Sequence, residues 1–438
     1  MGSSVLLAIA LASPRASATP GTTFGAGPRD ESLVRSAVAE GDTTDAATEN
    51  PAFAAAEGTH IRVGYGAAAP YLRVNGIDAR VAPILGFDTA THTGRHLLPA
   101  LWAGVGFALH LPGARVARIS FRPATEPQFI FYEAEQQRLS FDLAAALRYG
   151  PISVGGGASV ALGVGGPGVS IDVAQDAAGP RATGATDISL GYRLAPLAGV
   201  VAHFGRLQLG ASFRGELAVD LSLQTVVKVA LDGNPINGVT TVVVSGASGY
   251  EPPRVNLGAR VLVLRGLRAF AALELSAYSA APAPVADVSI DVDLSSKPAL
   301  KEGRFVEPRF RDTLAPKVGV EWRYPSLPLP PTFFGETVRA ADPWKVAVRA
   351  GYAFAPSPVP PQRGFTSYAD SSRHTAAIGA AYHLGDVLGV DLSLSIAAQL
   401  HVLETRREQK SLLSLPFAEY QVNGEMIRGS LALEGQVK

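Results

Sequence analysis

From Thr59 onward the sequence alternates. Arg206–Asp220 (RLQLGASFRGELAVD) sets Leu207, Leu209, Ala211, Phe213, Leu217 and Val219 on one parity and Arg206, Gln208, Ser212, Arg214, Glu216 and Asp220 on the other. The same separation recurs over Arg254–Leu264, Leu314–Tyr324, Trp344–Ala355 and Val390–Val402. Successive side chains of a strand point to opposite faces, so a period of two commits these segments to sheet with one apolar and one polar face. Such a sheet is a soluble sandwich with its apolar parity inward, or a membrane barrel with that parity toward lipid and the polar one toward the lumen.

Spacing separates the two. Candidate strands begin near Thr59, Ala79, Pro99, Gln136, Ile152, Thr186, Arg206, Arg254, Leu267, Leu314, Trp344, Arg373, Leu388 and Glu425. Each is long enough for a tilted span of about 9–11 residues. Tight turns are expected at Tyr149-Gly150-Pro151, Phe204-Gly205, Arg265-Gly266 and Gly385-Asp386. Long connections are expected at Gly165–Ala185, Leu221–Pro253, Ala280–Thr313, Ala355–Ser372 and Leu403–Gly424. The Pro-rich stretch Pro325–Pro343 is long where a tight turn belongs. Short turns alternating with long loops are the plan of an outer-membrane barrel. The expected fold is all-β: a transmembrane antiparallel β-barrel of about fourteen strands over residues 58–438. An even strand count returns both chain ends to one side, which suits a plug preceding the barrel.

Composition agrees. Charged residues are 17% and hydrophobic residues 47%, against about 25% charged in an ordinary globular domain. No apolar run is long enough for a membrane helix. The net charge is zero without a basic block, so no nucleic-acid partner is expected. With Cys at 0, disulfides, thiolate metal sites and Cys nucleophiles are removed together. The 8 histidines are scattered without metal-ligand spacing and no G-x-S-x-G elbow occurs, so the reading is no metal, no cofactor and no enzyme.

Ahead of the barrel, residues 1–18 read as a signal peptide, with the apolar Val5–Ala12 and an A-x-A pattern at Ala16-Ser17-Ala18, although Met1–Ser4 carry no Lys or Arg. From Gly25 to Glu57 the sequence is small, polar and acidic with helical stretches. Glu31–Glu40 places Leu33, Val34, Ala37 and Val38 on one helical face, Gly41-Asp42 breaks it, and Asp42 can cap a second short helix. Asn50 is placed as an N-cap with Pro51 in the first turn.

Ala39–Ala56 (AEGDTTDAATENPAFAAA) resembles the N-terminal hatch of FadL-type outer-membrane transporters, which carry small residues and Asp ending in Asn-Pro-Ala, here Asn50, Pro51 and Ala52. The resemblance continues at Gly104–Pro112 (GVGFALHLP), Gln136–Ala158, Arg349–Pro358 (RAGYAFAPSP) and Arg373–Leu384. The chain departs from such barrels in ending Gly-Gln-Val-Lys rather than on an aromatic residue. The resemblance implies a monomer in the lipid of a Gram-negative outer membrane, its lumen closed by a small helical hatch over residues 19–57. It implies passive uptake of long-chain fatty acids or other hydrophobic small molecules. It also implies sideways exit through a gap in the wall beside an inward kink of an early strand, the strand here carrying Gly104 and Gly106.

On the lumen parity lie Arg138, Arg148, Arg214, Arg254, Arg260, Arg323, Arg349 and Arg373, with Asp142, Glu216, Glu274, Glu321 and Asp391. These read either as a structural ion-pair lattice or as the source of one or two bidentate contacts to a substrate carboxylate. Arg349, Arg138 and Arg260 are the substrate-binding candidates, Arg349 foremost because it sits in the matching RAGYAF segment. Trp322, Tyr324, Trp344 and Tyr352 read as an interfacial aromatic girdle. The alternative function is an adhesin or binding barrel, which has no need of a hatch.

Overall fold

The alternating segments pair as antiparallel neighbours around a full circle. The computed structural model describes residues 26–40, 43–113, 125–132, 139–176, 179–231, 238–281, 287–294, 309–325, 344–411, 413–415 and 417–437. The wall is built from β1 (Gly58–Val74), β2 (Ile84–Leu98), β3 (Leu101–Pro112), β4 (Ser140–Tyr149), β5 (Ile152–Asp176), β6 (Gly179–Phe204) and β7 (Leu207–Arg214). It continues through β8 (Arg254–Leu264), β9 (Leu267–Ser276), β10 (Thr313–Tyr324), β11 (Val346–Ala355), β12 (Arg373–Val387), β13 (Val390–Gln409) and β14 (Glu419–Val437). Each pairs with its neighbour in chain order, and β1 closes the circle on β14 from Thr59↔Val437 to Val74↔Val422. This is the expected fourteen-stranded barrel. No described helix is long and apolar enough to cross a membrane.

Tight turns at Gly150, Gly205, Gly266 and Gly389 lie at the same end as both chain ends, and each of these glycines has positive φ, a conformation that costs glycine little. The turn expected at Gly385-Asp386 falls instead at Leu388-Gly389. Asp386 still pairs with Asp391, and Gly385 absorbs a register shift within β12. The long loop expected over Gly165–Ala185 is also corrected, because β5 and β6 continue as one hairpin with pairs out to Asp176↔Gly179. Between β7 and β8 the chain forms a second hairpin, Leu217–Leu231 with Gly238–Glu251. Its first strand runs parallel to the outer part of β5, and its second pairs with Asp287–Leu294.

Burial decides which way the two parities face. The outward row carries Leu143, Leu194, Leu257, Val318, Ile378 and Ile396, all between 50% and 66% exposed. The inward row carries Glu321, Ser395, Arg349, Gln399 and Lys317, all under 9% exposed. Large aliphatic side chains outside and charged ones inside are the reverse of a soluble core, and only a hydrocarbon solvent makes that arrangement stable. Trp322, stacked on Tyr324 at 5.8 Å, marks the tight-turn rim of this apolar band.

Two local expectations fail for tertiary reasons. The alternation over Arg206–Asp220 slips after Arg214: the Gly215 N–H bonds Pro196 O, Glu216 is exposed and Leu217 is 2% exposed. The wall strand ends there and the chain turns into the loop hairpin. The helix expected over Glu31–Glu40 is only α1 (Pro28–Ser32), followed by Val34 and Arg35 at positive φ. Leu33, Val34, Ala37 and Val38 are nonetheless all buried. Inside a barrel every side of the segment meets the wall, so an amphipathic helix has no advantage over an irregular path. Asp42 lies outside the described residues.

Val318 sits at mid-length of β10 on the lipid face. A charge near the bilayer midplane costs about 2–4 kcal/mol. Val318→Arg is expected to lower the unfolding free energy in phospholipid vesicles by that amount. Equilibrium urea unfolding, read by the shift between folded and unfolded bands on unheated gels, measures it.

Candidate functional site

The N-terminal segment, residues 26–40 and 43–57, runs inside the barrel, and the wall makes room for it with glycine. A Cβ on Gly104 would lie 1.7 Å from the Ala54 carbonyl oxygen, and one on Gly94 1.8 Å from that of Ala56. One on Gly210 would meet Val38 O at 2.4 Å, and one on Gly155 the Pro51 carbonyl carbon at 2.4 Å. Gly319, Gly351 and Gly379 clear space in the same way for Ser32, Leu33 and Ser36. Backbone therefore lies directly on backbone over many strands, an approach that any larger residue would block.

Asn50, fully buried, is the N-cap of the short 3-10 turn Pro51–Ala55, and its Oδ1 accepts from the Ala52 N–H at 3.1 Å. Its Nδ2 donates to Val38 O at 2.9 Å, Ala211 O at 3.3 Å and Val200 O at 3.4 Å. One amide thus ties the segment to itself and to β6 and β7.

Ion pairs supply the other ties. Glu321 on β10, 0% exposed, accepts from four guanidinium groups. Arg29 of the segment approaches at 3.0 Å, Arg349 at 2.7 Å, Arg268 at 3.0 Å and Arg323 at 2.9 Å. Arg62 pairs with Asp45, Arg428 with Glu31 and Arg260 with Glu40. Arg214 holds Asp142 at 3.1 Å and donates to Thr48 O at 2.8 Å. Burial alone would raise the Glu40 carboxyl, but Arg260 and Arg268 hold it far below the usual carboxylate range. At Glu31 burial prevails over Arg428 and the shift is upward.

Two of the three candidate carboxylate-binding arginines are engaged by acidic side chains. Arg349 donates its Nε to Glu321, and Arg260 donates to Glu40 of the segment. A ligand carboxylate would have to compete with those acids. Arg138 lies outside the described residues.

At the long-loop end the lumen is packed with rings. Phe129–Tyr132 from the β3–β4 connection meets Tyr278 and Phe310 from the β9–β10 connection and Tyr368 before β12, with centroid spacings of 5.8 Å. Met426 and Val422 of β14 complete this apolar cluster. Backbone bonds clasp the loops: Gln128 N–H to Ser367 O at 3.2 Å and Ala369 N–H to Gln128 O at 2.8 Å. Beside them burial pushes the Asp370 carboxyl up to about 6, with Ser357 and Arg373 opposing.

A cavity of about 390 Å³ opens in the wall over β2–β5. Lumen-facing His92, Gly106 and Ala144 line it together with lipid-facing Val105, Leu143 and Ala145. Gly156 and Gly157, on opposite faces of β5, are both exposed, so the wall is one backbone thick there. No register shift marks a kink at Gly104 or Gly106: the pairing runs unbroken through Gly94↔Gly104↔Ala146 and His92↔Gly106↔Ala144. Gly104 seats the N-terminal segment and Gly106 borders the cavity.

Sequence reasoning passed over Arg62, Arg428, His92 and the Phe129–Tyr132 cluster. Arg62 and Arg428 follow the lumen parity of their strands and were findable from it. The aromatic cluster has no local signal, because its members come from separate connections.

No protein-family model and no curated protein matches the sequence. Solved structures do. A FadL homologue of Pseudomonas aeruginosa superposes with a TM-score of 0.54 at 10% identity, over 97% of this chain and 99% of that one. The toluene transporter TodX of P. putida gives 0.51 at 12% identity over 94% and 98%, respectively. The toluene transporter TbuX of Ralstonia pickettii gives 0.50 at 14% identity over 94% and 99%. These likenesses establish a shared fold along nearly the whole chain.

Removing one partner of a buried ion pair typically costs about 3–5 kcal/mol. Glu321→Gln leaves four guanidinium groups without their acceptor charge. Its expected effect is a loss of stability of that order, together with faster protease cleavage within residues 26–57 of the folded barrel. Thermal unfolding and limited proteolysis read the two effects.

Proposed function

We propose that this chain is a channel of a Gram-negative outer membrane that takes up hydrophobic compounds, long-chain fatty acids or smaller hydrocarbons, and releases them sideways through its wall. Residues 1–18 serve as the export signal, residues 19–57 as the plug and residues 58–438 as the barrel, acting as a monomer. The observation that carries the reading is the apolar cavity lined from both faces of β2–β5, beside a lumen occupied by the N-terminal segment. A hydrophobic solute gains nothing from a watery pore, but it gains by passing from an apolar pocket into lipid. The ring cluster at the long-loop end is a matching place of first contact. The fold shared with proteins described as toluene transporters supports the same cargo class.

Filling the cavity from its lipid side tests sideways release. A Cβ on Gly156 meets only Leu197 O, at 3.5 Å, so the position accepts a side chain. Gly156→Phe is expected to fold, to keep its heat-modifiable gel shift, and to cut uptake of labelled toluene and oleate by cells at least about fivefold. Unchanged uptake by the folded variant would exclude this exit.

A further inference from the structure

At the long-loop end two connections lock together and hold apolar side chains out of the protein. The β11–β12 connection, residues 356–372, folds over the buried Gln362. Gln362 Oε1 accepts from the Thr366 hydroxyl at 2.9 Å and from the Tyr368 N–H at 3.2 Å, and the Gln362 N–H donates to Glu408 at 2.8 Å. The turn pinned in this way carries Arg363, Gly364 and Phe365 at its tip, all three exposed. Lys410 and Ser411, which follow β13, clamp that tip. Ser411 gives its N–H at 3.1 Å and its hydroxyl at 2.5 Å to Arg363 O, and Lys410 Nζ donates to Phe365 O at 3.3 Å. Outside the clamp Phe365 is 65% exposed, Leu413 78% and Phe417 46%. Phe417 also has a φ of 51°, a conformation that bulky residues rarely adopt. Strain and exposure at apolar side chains are both unfavourable, and a ligand that covers the side chains relieves the exposure.

The charge around this patch is one-sided. Glu408 is taken by the Gln362 N–H and by Arg406, and Glu419 accepts from Gln409 Nε2 at 3.1 Å. The exposed Arg363 guanidinium makes no ion pair among the described residues. Three side chains fall well short of the about 800 Å² that a stable protein interface takes from each partner, but they match one alkyl chain. We infer that this tip is an entry site for a single-chain anionic amphiphile. It takes a long-chain carboxylate whose tail lies over Phe365, Leu413 and Phe417 and whose head group pairs with Arg363. The inference rests on the channel reading and deepens it. Carboxylate recognition then occurs outside the lumen, where Arg349 and Arg260 already hold acids of the chain itself. Behind the tip Tyr368 and Tyr420 belong to the ring cluster, which offers the tail its next apolar contact.

The test is photolabelling of the full chain in phosphatidylcholine vesicles. The probes are dodecanoate with a diazirine on its tail and the alcohol of the same chain, and labelled peptides are located by mass spectrometry. An exposed ion pair corresponds to about a two- to fivefold gain. The acid is expected to label residues 362–368 and 410–418 more than the alcohol by that factor, and about 1 M salt should close the gap. Arg363→Gln should lower acid labelling to the alcohol's level and leave the alcohol unchanged. Phe365→Ser combined with Leu413→Ser should weaken labelling by both probes about fivefold or more. These positions are exposed, and the heat-modifiable gel shift checks that each variant is folded. Equal labelling of the tip by acid and alcohol in the wild-type protein would overturn the inference, as would labelling confined to the wall or the N-terminal segment. Neither comparison needs a variant to fold. Uptake of labelled oleate by cells, measured in parallel, separates the two levels. Uptake without acid-selective labelling of the tip removes only this site, whereas labelling of the tip without uptake of oleate or toluene removes the channel reading and leaves the site as a binding surface.

Discussion

Hydrocarbon offers no hydrogen-bond partner to a peptide group, and the rest of the structure follows from that deprivation. A sheet in such a solvent cannot keep an edge, so β1 must find β14 and does so along its full length. Closure over an even number of strands returns both chain ends to one rim, where the turns at Gly150, Gly205, Gly266 and Gly389 also lie. The extra strands Leu217–Leu231, Gly238–Glu251 and Asp287–Leu294 belong to the long-loop connections of the opposite end.

Closure also creates an interior that must be filled. Here the filling is chain, seated on glycines and held by charge rather than by bulk. The inward parity carries Ala, Ser and Gly where backbone meets backbone, and Arg or Glu where a tie is made. Glu321 shows the economy of this plan, since one buried carboxylate joins β9, β10, β11 and the N-terminal segment. The same kind of tie engages Arg260, Arg214 and Arg349, each paired with an acidic side chain of the chain itself.

Two apolar features stand apart from these ties: a ring cluster toward the loops and a cavity where the wall thins to glycine and alanine. Between them lies the N-terminal segment, whose turn at Pro51–Ala55 packs on β3, β4 and β5 close to that cavity.

The sequence by itself determined the class of fold. Period-two alternation, few charges and turn glycines at Gly150, Gly205 and Gly266 together leave a barrel, because the first two follow locally from strands that face lipid on one side and the glycines from the tight turns that join them. It also marked Asn50 as a cap, a contact made within two residues. It could not place the turn at Leu388-Gly389, since Gly385-Asp386 offers equal turn chemistry and only the register with β13 chooses between them. Nor could it assign Arg349 to Glu321 or set the Ala54 carbonyl against His92. Those depend on which strands closure brings side by side and on where an enclosed segment of backbone comes to rest, and neither is written in any local window of the chain.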